Sequence, residues 1–178
     1  MLKQLAQIAR PILNAPLILE TRRNHGLEHA TNHVLSRGRY RLSGRSDERG
    51  FVLIGQVPTP AVESAVKEAL RRMKGGEHRL AVHPNCGTNL VTAGVLTGVI
   101  GALGVGGTTR RGAFQRLPWI MPLLMIAILY SLPLGMALQT HFTTEGDPGD
   151  MELVSVKRWE FKLPFWSKSL VIHRVHTR

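Results

Sequence analysis

Two stretches without a charged residue limit what this chain can become. One runs from Leu90 to Gly107 and the other from Leu117 to Leu138, with Arg110, Arg111 and Arg116 in the short segment between them. The second is long enough to cross roughly 30 Å of hydrocarbon as a helix. A chain of 178 residues has no layer able to cover two such segments on all sides. The expectation is a transmembrane helical hairpin over residues 89–139. Gly94, Gly98, Gly101 and Gly104 give its first helix a smooth groove. The Gly94-x-x-x-Gly98 spacing lets a partner protein or a second copy of the chain pack closely. Pro118, Pro122 and Pro133 are expected to kink the second helix.

Upstream stands His25-Gly26-Leu27-Glu28-His29, with His33 one turn further on. Wound at 100° per residue, His25, Glu28, His29, Asn32 and His33 share one side of a helix, and Leu27, Ala30, Thr31 and Val34 the other. Two imidazoles four residues apart can grip one divalent ion. A carboxylate one step before the second can sit beside the metal and take a proton from its water, the logic of H-x-x-E-H sites. The competing reading is a solvated polar face. Just before the first apolar stretch comes His83-Pro84-Asn85-Cys86-Gly87-Thr88. His83 and Cys86 are a plausible nitrogen and thiolate pair. The helix that follows points its first amides at Cys86, which lowers a thiol's pKa. The alternative there is a helix cap with Cys86 as a small packed residue.

These two blocks, in this order and followed by an apolar helix, resemble the YqhQ-like bacterial membrane proteins. Those carry a similar H-G-x-E-H-[KA]-T block and a similar H-x-x-C-G-T block at the mouth of a span. The resemblance implies an integral membrane protein with a polar site made of His25, Glu28, His29, His83 and Cys86. His33 lies outside the shared pattern.

The remaining sequence reads as an α+β domain over 21–88 plus 150–178. Tyr40–Leu42 and Phe51–Ile54 look like strands around a polar turn. A helix after Pro58 carries Val62, Ala65, Val66, Ala69 and Leu70 on one face and stops at Gly75-Gly76. Arg79–His83 reads as a third strand, a β-β-α-β order, and Glu152–Phe161 and Leu170–Val175 as two more. Residues 1–20 place Leu2, Leu5, Ile8, Ala9, Ile12 and Leu13 at helical spacing, as an amphipathic helix on a membrane surface or packed on a protein core. Pro11 and Pro16 interrupt this stretch, which does not read as a secretory signal.

Twenty-three Lys and Arg against twelve Asp and Glu suit anionic lipid head groups. The arginines are too scattered for a nucleic-acid arm, and no nucleic-acid partner is expected. A single cysteine excludes an internal disulfide framework. The expected setting is a bacterial inner membrane. The flanking parts are placed in the cytoplasm because exporting the basic N-terminal region is the harder step, although Arg110, Arg111 and Arg116 argue for a cytoplasmic loop.

Three functional readings follow. In the first, a membrane-surface hydrolase holds zinc, or another divalent transition metal, on His25 and His29. His83 or Cys86 is the third ligand, Glu28 the general base, and the substrate a peptide or lipid-linked bond. In the second, His25, His29, His83 and Cys86 close a structural zinc site in a membrane scaffold or complex subunit, and Glu28 orients a histidine. In the third, the histidines and Glu28 form a metal-free polar network. His173 and His176, three apart on a strand, point to opposite faces and read as exposed basic residues.

Overall fold

The structure, a computed structural model, describes residues 1–38, 40–162 and 169–178. The chain forms two compact units, one from Met1–His83 and Thr140–Arg178, the other from Pro84–Gln139. Each is described by itself.

The first unit opens with α1 (Leu2–Ile8) and α2 (Arg10–Leu13), followed by α3 (Pro16–Arg37). The single amphipathic helix expected over 1–20 is therefore two short helices plus the start of a third. Pro11 lacks the N–H that would bond Gln7, and Ala15 before Pro16 is extended (φ −59°, ψ 136°). Next come β1 (Ser43–Asp47), β2 (Gly50–Ile54) and α4 (Thr59–Lys74). The proline entry, the Gly75 cap and the buried stripe Val62, Ala65, Val66, Ala69, Leu70 and Met73 agree with the spacing of apolar residues.

After the apolar unit the chain returns for β3 (Leu153–Phe161) and β4 (Leu170–Thr177). The sheet order is β1-β2-β4-β3, antiparallel throughout. Leu27 and Ala30 of α3, Val62, Val66 and Met73 of α4, and Phe51, Leu53 and Val175 of the sheet make one core. Burying a side chain the size of Phe51 or Leu53 stabilises by about 1.5–3 kcal/mol.

Three expectations need correction. The strand placed at Tyr40–Leu42 lies at Ser43–Asp47, because the register to β2 pairs Ser43 with Ile54 and Asp47 with Gly50. Tyr40 and Leu42 pack on the core from the preceding loop. Arg79–His83 is not a strand: His78–Ala81 is a 3-10 turn. β2 already has β1 on one side and β4 on the other, and the Ala81 and Val82 carbonyls accept from histidines instead. His173 is fully buried, because β4 is a central strand and His173 points inward with Val171 and Val175. Its Nε2 lies 3.2 Å from the Thr59 hydroxyl.

The second unit is α5 (Gly87–Val105) and α6 (Arg110–Leu138). Both are long and apolar enough to cross a membrane, and only 11% of the first apolar window and 22% of the second is buried, unlike an enclosed core helix. They pack antiparallel. A Cβ on Gly104 would stand 2.6 Å from the Ile120 side chain, and one on Gly135 2.3 Å from Asn89 Oδ1. Gly94, Gly98 and Gly101 have nothing within 4 Å of a Cβ position. The stripe expected to form a packing groove is thus open along most of its length. α6 runs through all three prolines without a break. Arg116 donates to the Gly104 and Gly106 carbonyls at 3.2 and 3.4 Å, capping the end of α5.

Candidate metal centre

The histidine block falls on α3, as its spacing requires, but the helix is enclosed on more than one side. Gly26, Leu27, Glu28, His29, Ala30 and Thr31 are all buried. Two other segments of the same unit lie against it. One is the strip Ala81–His83 after the 3-10 turn. The other is 142–145, where the chain comes back from the apolar helices.

The second strip is fastened by Arg22, which is only 7% exposed. Its guanidinium donates to the carbonyls of Phe142 at 2.8 Å, Thr144 at 3.1 Å and Leu13 at 3.2 Å. It also pairs with the Glu145 carboxylate at 3.3 Å. Glu145 N–H returns a bond to the Arg22 carbonyl at 2.9 Å. Gly26 makes the approach fit, since a Cβ there would stand 2.2 Å from the Glu145 carbonyl oxygen and 3.1 Å from Ala81 Cβ.

These strips orient the imidazoles. His25 Nδ1–H donates to the Thr143 carbonyl at 2.9 Å, His29 Nδ1–H to Ala81 at 2.8 Å, and His33 Nε2–H to Val82 at 2.9 Å. A carbonyl only accepts, so each bond fixes the tautomer. It makes Nε2 the basic nitrogen of His25 and His29, and Nδ1 that of His33. Metal-ligating histidines are commonly oriented by hydrogen bonds of this kind from the other ring nitrogen. Ring centroids lie 4.4 Å apart for His25 and His29, 5.8 Å for His29 and His83, and 4.7 Å for His33 and His83. A ligating nitrogen of His25 lies within 4.8 Å of one of His29. Nitrogens this close could hold one divalent ion between them. Burial, with the nearby His33 and His29 charges, pushes the pKa of His83 down to about 4. His83 is therefore a neutral imidazole at pH 7, the form that binds metals.

Glu28 sits on the β1 side of α3. Its Oε2 accepts from the Ser46 hydroxyl at 2.9 Å and its Oε1 from Asn32 Nδ2 at 3.3 Å. β1 leaves room with a glycine, since a Cβ on Gly44 would stand 2.1 Å from Oε1. Burial raises the Glu28 pKa, against the lowering effects of the Ser46 bond and of His25. Cys86 belongs to the other unit. It caps α5, and its Sγ accepts from Thr88 N–H at 3.4 Å.

The model of a domain of unknown function, DUF6391, covers residues 20–156. The chain belongs to the DUF6391 family. A protein of Picosynechococcus sp. (strain PCC 7002), described as uncharacterized, is 32% identical over 168 residues, covering 80% of this chain and 82% of its own. No solved structure matches significantly. Neither match shows a relationship to the YqhQ-like proteins. The DUF6391 segment contains His25, Glu28, His29, His33, His83, Cys86 and both apolar helices.

Sequence reasoning left several participants out. His33 lies outside the motif resemblance, yet its ring bonds the Val82 carbonyl and lies beside His83. Arg22, Ser46 and the carbonyls of residues 81, 82 and 143 carried no signal, because backbone acceptors have no residue signature.

Proposed function

We propose that this DUF6391 protein is an integral membrane protein of the bacterial inner membrane that holds a divalent transition metal, zinc in the first instance, at the α3 histidines. In this reading His25 and His29 are ligands, and His83 or Cys86 completes the protein set. Cys86 follows His83 by three residues, so the backbone tether between them spans at most ~10 Å. The observation that carries the reading is the fixing of three neighbouring imidazoles by main-chain carbonyls. An exposed histidine face has no need of such bonds. Two helices able to cross a membrane support the location, and the cyanobacterial relative supports a bacterial setting. The basic N-terminal region is placed in the cytoplasm.

The activity proposed is hydrolysis at the membrane surface, on a peptide or lipid-linked bond. The ion would supply Lewis acidity, lowering the pKa of a water into the neutral range. Glu28, whose pKa is raised by burial, is the general base, since a base works best when its pKa lies near the working pH. Metal analysis of the purified full chain beside His29→Ala tests the site: the variant loses the metal. Unchanged metal content in that variant removes the site. Glu28→Gln then tests the chemistry by keeping metal and fold while cellular function is lost.

A second reading is a closed structural zinc site in a membrane scaffold, with His25, His29, His83 and Cys86 as ligands. Two observations favour it: Glu28 is already held by Ser46 and Asn32, and His29 is only 3% exposed. A Glu28→Gln variant that keeps its cellular role selects this reading.

A further inference from the structure

We infer that α1 and α2 form an interfacial anchor, lying in the head-group layer of a leaflet that contains anionic lipids. The inference rests on the membrane location proposed above.

Every residue of α1 and α2 is at least partly exposed. The protein itself thus covers the apolar residues of these segments only in part. Three of their apolar side chains face outward: Leu5 is 49% exposed, Ile8 78% and Ile12 66%. At spacings of three and four residues they share one side of the helical path, while Lys3 and Arg10 fall on the other. These are the only charged side chains among residues 1–19. An apolar stripe flanked by cations alone is complementary to acyl chains beneath anionic phosphates.

The occupant is argued from the unit's own contacts. Arg22 holds the Leu13 carbonyl, at the end of α2, and the Phe142 carbonyl with one guanidinium. Phe142 comes two residues after the chain re-enters this unit at Thr140. The end of α2 is therefore fastened beside the segment by which the chain returns from its apolar helices, so in the membrane location proposed above α2 ends close to the bilayer surface. Amphipathic helices bury their apolar face about 5–10 Å into the head-group and acyl boundary, a depth that Leu5, Ile8 and Ile12 can reach.

The test uses the full chain in lipid nanodiscs, with the photo-crosslinking residue benzoylphenylalanine placed at Ile12 or, as a control on the opposite side, at Gln7. After irradiation, intact mass reports the adduct. The expected result is a lipid adduct from position 12, severalfold more abundant than from position 7. It should be stronger with phosphatidylglycerol than with phosphatidylcholine alone, and reduced by Lys3→Glu with Arg10→Glu. Equal yields from both positions, or an adduct to a second protein chain at position 12, overturn the anchor while leaving the membrane location intact. A chain that fails to stay with vesicles after an alkaline wash overturns both. Insensitivity to lipid charge overturns the anionic preference.

Discussion

The carbonyl of Glu145 passes directly over Gly26, where a Cβ would stand 2.2 Å from the oxygen. Ala81 Cβ approaches the same position at 3.1 Å. One glycine therefore admits both segments whose carbonyls orient the histidines on either side of it. This gives a physical reason for glycine within His25-Gly26-Leu27-Glu28-His29. Gly26→Ala should force the 142–145 strip outward and loosen the Thr143 bond to His25. Overpacking of this kind costs about 1–3 kcal/mol. The variant should melt lower and bind less metal, whereas Gly98→Ala, at an open position, should lower neither. Thermal unfolding and metal content of the two proteins decide it.

Glu28 can be tuned from β1. Ser46→Ala removes a hydrogen bond that favours the carboxylate, so the Glu28 pKa should rise further. Gly44→Ala should push the carboxylate out of its place, given a Cβ position 2.1 Å from Oε1. If Glu28 is the general base, the acid limb of a pH–rate profile moves up in Ser46→Ala at unchanged metal content. A profile that stays where it is argues against that role.

His83 sets a pH limit on the metal-free protein. Its folded pKa of about 4 lies below the value of about 6.5 for an unfolded histidine. The unfolded chain therefore binds more protons between these values. Stability from this group is present above pH ~6.5 and is lost as pH falls toward 4. With the ring only half buried, solvent screening trims the loss to about 1–2 kcal/mol. Denaturant melts of metal-stripped protein at pH 7 and pH 4.5 measure it, and His83→Asn should flatten that part of the dependence.

Within the apolar unit, Gln139 Nε2 donates to Asn89 Oδ1 at 2.8 Å, and Asn89 Nδ2 donates to the Pro84 carbonyl at 2.6 Å. The amide pair joins the start of α5 to the residue just after α6. A double-mutant cycle with Asn89→Ala and Gln139→Ala should return a coupling of about 0.6–1.7 kcal/mol, the range for side-chain bonds between membrane helices. Additive effects would show that the two amides act independently.

Much of this architecture is legible in the residues. The apolar stripe of α4 and its glycine stop, the β-branched runs of β3 and β4, and the two charge-free helices follow from periodicity and length. The misplacements share a cause, since each segment's role depends on what lies beside it. Arg79–His83 has strand-like residues, yet β4 occupies the place next to β2. Ser43–Asp47 looks like a turn, and becomes an edge strand because its backbone pairs with β2 from Ser43 opposite Ile54 to Asp47 opposite Gly50. The faces of His25, His29 and His33 could be read from the helical wheel. Their tautomers could not, because the acceptors are backbone atoms up to 118 residues away.

The sheet has a consequence for biogenesis. β1 and β2 precede the apolar helices and β3 and β4 follow them, yet β4 lies between β2 and β3. A ribosome that has completed β2 has made half a sheet, and the carbonyl that holds His25 is still to be translated. The sheet and the bond to His25 can therefore close only after the apolar pair has been synthesised.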